Sequence, residues 1–158
     1  MKTIFASIGA LAMLQTAAAT EVSVTYSEEF TEELADNYGE REGGVLTEEI
    51  IEDLDRAFAK AGISPARVDV TINDAKPNRP TLEQQRDKPG LDAFRSISIG
   101  GMDLTGTAYD ADGNVIGELS YDWYETDIRF AAPAGTWSDA RRASDRFSRK
   151  LAKQLQGS

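Results

Sequence analysis

The stretch TEEIIEDLDRAFAKAG (residues 47–62), followed closely by VDVTIN (residues 68–73), decides the fold. In the first segment Ile50, Ile51, Leu54, Ala57, Phe58 and Ala61 recur at spacings of three and four, which gathers them on one side of a helix. Thr47 can cap the start of that helix and Gly62 can stop it. Glu48, Glu49, Glu52 and Asp53 crowd the first turns and Arg56 and Lys60 the last, as the helix dipole favours. In the second segment Val68, Val70 and Ile72 alternate with Asp69, Thr71 and Asn73, the period of a half-buried strand. A helix with an apolar stripe, delivered straight into such a strand, needs a sheet to lie on.

Working outward, Val22, Val24 and Tyr26 alternate with Glu21, Ser23 and Thr25 as an earlier strand. Residues 27–46 are acidic and contain Gly43-Gly44, so a connection is expected there, with a short helical turn around Phe30 to Leu34. A polar loop over residues 74–93 follows the second strand, and in it Thr81 and Gln84 have the spacing of a capping box. Alternation resumes at Ile97 and Ile99, breaks at Gly100-Gly101, where a bulge or bend is expected, and continues through Met102, Leu104 and Ala108. Asp110-Ala111-Asp112-Gly113-Asn114 supplies turn chemistry, and Val115, Leu119, Tyr121 and Trp123 share one face of a returning strand. Thr136, with Asp139 three residues on, is expected to cap a final helix reaching about Leu155. The expected fold is a single α/β (α+β) domain over residues 20–158. It is a two-layer sandwich with a mixed or mainly antiparallel sheet of three to four strands and two helices on one face.

The chain opens with Lys2, an apolar run over residues 4–14 and the small residues Ala17, Ala18 and Ala19, the layout of a secretory signal peptide cleaved after Ala19. The apolar run is well short of the roughly 20 residues a spanning helix needs, so no transmembrane anchor is expected after cleavage. The expected location is periplasmic or secreted, and the lack of cysteine removes a lipid-bearing N-terminus.

The 17 Lys and Arg stand against 27 Asp and Glu, a net charge of −10, and loss of Lys2 with the leader takes it to −11. Affinity for a phosphate backbone comes mainly from cations that displace counterions, so no nucleic-acid partner is expected. With neither Cys nor His, disulfides, thiolate and imidazole metal sites, and catalytic triads built on either residue are excluded. No cofactor and no metal are expected. Asp110 to Asn114 fails as a calcium loop because Gly113 follows the second Asp directly, off the EF-hand register.

Two features carry binding hypotheses. The 74–93 loop is longer than most structureless connections, and prolines flank Asn78 and Arg79, so Asn78, Arg79 and Arg86 are candidates for ligand or partner contact. The plain alternative is that these polar groups cap their own loop. From Thr136 onward there are six bases and two acids. Ala140, Ala143, Phe147, Leu151 and Leu155 share one helix face, while Arg142, Arg146, Arg149, Lys150 and Lys153 cluster opposite, facing solvent. Such a stripe suits an anionic glycan, a lipid headgroup or an acidic envelope protein, and it also suits an ordinary solvated helix face. Tyr109, Tyr121, Trp123 and Tyr124 on the hairpin offer either a sugar-stacking platform or cross-strand packing.

The segments Asn78-Arg79-Pro80-Thr81, Ser96-Ile97-Ser98-Ile99-Gly100-Gly101 and Thr136-Trp137-Ser138-Asp139-Ala140 resemble small proteobacterial envelope proteins that pair an export signal with a compact strand-and-helix domain. The resemblance implies a periplasmic or envelope setting and supplies neither a reaction nor site residues. Many of those relatives begin with a lipid-bearing cysteine, which this chain lacks. The functional expectation is a non-enzymatic exported protein that binds a partner or ligand. The alternatives are a carboxylate-dependent hydrolase of envelope glycans and a structural subunit of an envelope complex.

Overall fold

The computed structural model of the protein describes residues 19–131 and 135–157. The expected signal peptide, residues 1–19 cleaved after Ala19, falls outside the described residues except for Ala19 itself. The elements are β1 (Glu21–Tyr26), α1 (Glu28–Glu33), a wide turn (Leu34–Tyr38), α2 (Glu40–Ala61), β2 (Arg67–Lys76), α3 (Leu82–Asp87), β3 (Gly101–Tyr109), β4 (Val115–Tyr124), a short tight helix (Ile128–Phe130) and α4 (Ser138–Gln156). The four strands lie in sheet order β1-β2-β3-β4. β1 and β2 pair in parallel across the α1–α2 crossover, and the other two pairings are antiparallel. This is the expected mixed sandwich.

Val68, Val70 and Ile72 of β2 and Met102, Leu104 and Ala108 of β3 face the helices and are buried with Leu46, Ile50 and Leu54 of α2 and Phe147 and Leu151 of α4. The two long helices run side by side in the same direction. Trp137 Nε1 donates to Glu42 at their N-terminal ends (2.6 Å), Arg141 pairs with Glu49 (3.0 Å), and Gln156 Nε2 donates to the Ala61 carbonyl at their C-terminal ends (2.7 Å). Among the described residues the opposite sheet face carries no helix, and it is polar, with Thr25, Thr71, Thr105 and Ser120 in one register row across all four strands.

Three local expectations are corrected. Helix α2 starts at Glu40, not near Thr47, and runs through Gly43-Gly44. A Cβ on Gly43 would lie 2.9 Å from Leu34 and 3.0 Å from the Tyr26 hydroxyl, so glycine is what lets this turn press onto β1. Thr47 Oγ1 bonds the Tyr26 hydroxyl (2.8 Å) instead of capping the helix. Second, residues 74–76 belong to β2 after a bulge between Ile72 and Asp74, and Pro77, which has no N–H, ends the strand. Residues 96–100 are not strand; Ser98 N donates to the Asn78 carbonyl (2.9 Å), and the glycine pair marks where β3 begins instead of a bulge within it. Third, α4 has no capping box at Thr136. Its cap residue is Trp137, without a side-chain cap bond, and Asp139 is used elsewhere. The Thr81–Gln84 capping box, the left-handed Gly62 stop and the Asp110 turn all form.

Candidate functional site

Arg146, Arg149, Lys150 and Lys153 of α4 line one shallow trough of about 280 Å³. Its position follows from how closely the helix sits on the sheet. Gly106 of β3 and Gly117 of β4 have no side chain where Phe147 and Leu155 descend; a Cβ on either would come within 2.6 Å of those side chains. Close seating brings the cations beside β4. The Arg146 guanidinium lies 4.2 Å from the centre of the Trp123 ring and the Lys150 ammonium 5.3 Å from that of Tyr121. Four residues of helix rise about 6 Å and two residues of strand about 6.8 Å, so an i, i+4 pair of cations and an i, i+2 pair of aromatics meet in step. Each contact is worth about 0.5–1 kcal/mol at a partly exposed site and holds its cation in place.

Arg149 pairs with Asp145 one turn earlier (2.6 Å). Among the described residues, no carboxylate lies within ion-pair distance of Arg146, Lys150 or Lys153. The trough is therefore a concentration of positive charge on an acidic chain. Arg142, expected in the same stripe, stands apart: its guanidinium lies 3.3 Å from Asp139 and 3.9 Å from Glu125, and it does not line the trough.

The loop residues have different roles. Asn78 is fully buried. Its amide donates to Asp139 Oδ2 and to the Ser98 carbonyl (3.2 Å), and its Oδ1 accepts from the Asp139 backbone N–H (2.8 Å). Gly100 N donates to the same Asp139 oxygen (3.1 Å). This ties the 77–100 connection to the first turn of α4. Arg79 Nη1 donates to the carbonyls of Ala93 (2.9 Å) and Phe94 (2.7 Å), folding the loop back on itself. It also lines clefts of about 330 and 390 Å³ on its two sides. Arg86 is exposed and pairs with Glu83 (3.1 Å). Tyr38, on the wall of the larger cleft, has its phenol pushed up to about 12 by burial and by the nearby charges of Glu33 and Asp74.

The hairpin aromatics do not make a platform. Tyr121 and Trp123 lie under α4, whereas Tyr109 and Tyr124 lie on the open face. There Arg67 covers Tyr109 (4.2 Å), Lys76 covers Tyr124 (5.4 Å), and the Tyr124 hydroxyl donates to Asp74 (2.7 Å). Burial and that bond raise the Tyr124 phenol above its ordinary range. Asp110 spends its carboxylate closing the turn, accepting from the backbone of Asp112 and Asn114, and bonds from Asn114 hold it below the usual carboxylate range. The two buried acids, Asp53 and Asp139, lie on different helices and line neither cleft around Arg79. Among the described residues no group of three or more acids is placed to hold a metal ion.

Fold and site together define an α+β sandwich that carries a cationic trough on its last helix. No family model and no curated protein matches the chain. Solved structures similar to it include the minor lipoprotein of Acinetobacter baumannii, at 12% identity over 87% of this chain and 92% of that one with a TM-score of 0.40. Another is a candidate lipoprotein of Caulobacter crescentus CB15, at 19% identity over 86% and 88% with a TM-score of 0.38. Among the described residues no helix is long and apolar enough to cross a membrane.

Proposed function

We propose that this protein works in the extracytoplasmic envelope as a non-enzymatic binding protein whose α4 trough receives an anionic group of its partner. The observation that carries the reading is the convergence of Arg146, Arg149, Lys150 and Lys153 on one trough. Two of these cations are held over aromatic rings and one is paired with a carboxylate. A cation already fixed by a ring loses less freedom on binding than a free surface lysine. The leader-like start of the chain supports the location, and the net negative charge of the rest of the chain supports an orienting role for the trough, since it disfavours an anionic partner over most of the remaining surface.

Calorimetric titration with inorganic polyphosphate and, separately, with polyglutamate tests the reading and tells phosphate from carboxylate recognition. Binding of at least one polyanion is expected, weakening by about tenfold or more from low to physiological salt. It should fall further in an Arg149→Glu/Lys153→Glu variant, whose altered side chains are exposed. Failure of both polyanions to bind, or equal binding by that variant, overturns the trough as the site.

A further inference from the structure

Among the described residues, the seven large apolar side chains that stand exposed are not scattered. Leu82, Phe94, Ile97 and Ile99 lie on the connection from β2 to β3, Ile128 and Phe130 on the connection from β4 to α4, and only Val115 lies elsewhere. Both connections leave the same end of the sheet, because Lys76, Gly101 and Tyr124 are register partners there. They are also bonded to each other, Glu125 N to the Gly100 carbonyl (2.9 Å) and Asn78 N to the Thr136 carbonyl (2.7 Å). One end of the domain thus presents an apolar crown in which Phe94 is 84% and Leu82 67% exposed.

We infer that this end docks into the interfacial layer of a lipid bilayer. The side chains are Leu, Ile and Phe on projecting loops, apolar bodies of the kind that bury into the headgroup and acyl boundary of a membrane surface. Cations flank them. Residues 76–99 hold five Lys and Arg against three Asp and Glu inside a chain that is strongly acidic overall, whereas residues 125–137 hold Glu125 and Asp127 against Arg129, which pairs with Asp127, so the cations lie on the side of the longer connection. Among the described residues, Lys88 and Arg95 have no carboxylate within ion-pair distance. An apolar tip with a cationic flank matches hydrocarbon below and anionic headgroups beside it, while the acidic remainder of the surface is pushed away and sets the orientation. Arg79 and the Asn78–Asp139 tie brace the loop that carries Phe94, so the tip is a formed element. This docking does not depend on the α4 trough, which runs up the flank of the domain away from the tip.

The test is sedimentation of purified protein, its N-terminus determined by mass spectrometry to show that the leader is gone, with vesicles of phosphatidylcholine and roughly one-third phosphatidylglycerol. The protein is expected to co-sediment and to remain partly bound in high salt, since apolar insertion is not screened. Phe94→Ser and Leu82→Ser should each lower partitioning by about tenfold with unchanged circular dichroism and melting temperature, because neither side chain packs in the core. Trp introduced as Phe94→Trp should be quenched by brominated lipid chains. Arg149→Glu/Lys153→Glu should leave the salt-resistant fraction in place, which separates this proposal from the trough. Absence of co-sedimentation, binding that high salt abolishes, or partitioning unaffected by Phe94→Ser overturns it. So does a concentration-dependent dimer that Phe94→Ser dissolves, for then a second copy covers the crown.

Discussion

Replacing Asp139 with Ala should cost about 3 kcal/mol of folding stability through the hydrogen bonds it makes within the fold. The carboxylate is fully buried and accepts bonds from the Asn78 amide, the Gly100 backbone N–H and the half-exposed Arg142. Arg142 can turn to water when the carboxylate goes, but the buried Gly100 N–H cannot. A buried donor left unpaired costs about 1–3 kcal/mol, and loss of an acid from the first turn of α4 removes about another 0.5 kcal/mol of dipole interaction. The Asn78 amide keeps the Ser98 carbonyl and loses one partner, adding about 1 kcal/mol. Relief of the buried charge offsets part of the total. Asn78→Ala should cost about as much, since it strands the Asp139 N–H and takes one of three donors from the buried carboxylate. The double variant should then cost about 2 kcal/mol less than the sum, because each change removes the partner the other leaves unpaired. Urea unfolding followed by circular dichroism reads all four corners of the cycle, with unchanged m-values showing that the unfolded states are comparable. A cost below about 1 kcal/mol for Asp139→Ala, or additivity within about 0.5 kcal/mol, would refute the buried tie. Equal polyphosphate binding by Asn78→Ala and the wild type would complete the assignment of Asn78 to the frame.

Gly106→Ala should destabilise by about 1–3 kcal/mol, because its Cβ would meet the buried Phe147 ring at 2.6 Å, whereas Gly44→Ala, on the wet side of α2 with nothing within 4 Å, should stabilise by about 1 kcal/mol; thermal melts of the two variants give shifts of opposite sign. Ser148→Ala should be neutral or stabilising by about 1 kcal/mol, since its buried hydroxyl has no hydrogen-bond partner among the described residues, and a loss of more than that in urea unfolding would show that the hydroxyl is satisfied. The raised phenol of Tyr38 keeps its proton in the folded state after the unfolded chain has released it. Stability from this group is therefore complete below the ordinary value of 10.0 and is lost as the pH climbs through about 12. Alkaline unfolding monitored at the phenolate absorbance should show that fall, and Tyr38→Phe should remove its share while leaving that of Tyr124, whose phenol is also raised.

What could be read from sequence was set by short-range rules. The alternations at residues 21–26 and 68–73, the Thr81–Gln84 box, the Gly62 stop and the Asp110 turn each depend on contacts a few residues away, and all form. The α2 start was hidden because Gly43 and Gly44 count against a helix by propensity, while the benefit of Gly43 comes from Tyr26 and Leu34, which are distant in sequence or on another element. Residues 96–100 carry the period of a strand without a partner to pair with. Pro77 closes β2 just where that partner would have continued, and the segment bonds the Asn78 backbone and the Pro77 carbonyl instead.

The candidate site shows the same division. Taken as part of a stripe opposite the apolar face, Arg146 and Lys150 are expected in solvent, yet at about 100° per residue they stand on the flank of the face that Phe147 and Leu151 form, and one helix alone does not say what covers that flank. Whether a cation on such a face is solvated or laid on a ring depends on the height of the helix above the sheet, and that height is fixed by Gly106 and Gly117 under Phe147 and Leu155. With Ala at both positions the helix would have to lift by about an ångström, which stretches the Arg146–Trp123 contact from 4.2 Å toward the roughly 6 Å limit of a cation–π interaction. The cationic stripe was legible, then, but its division into a held pair and an outer pair was not, because the residues that decide it are two glycines on β3 and β4 and not any residue of the stripe. The tie between Asn78 and Asp139 follows the same logic. Prolines on both sides of an asparagine signalled a fixed loop correctly, and the side chain they fix points inward to the first turn of α4 because the loop's own anchor was needed there.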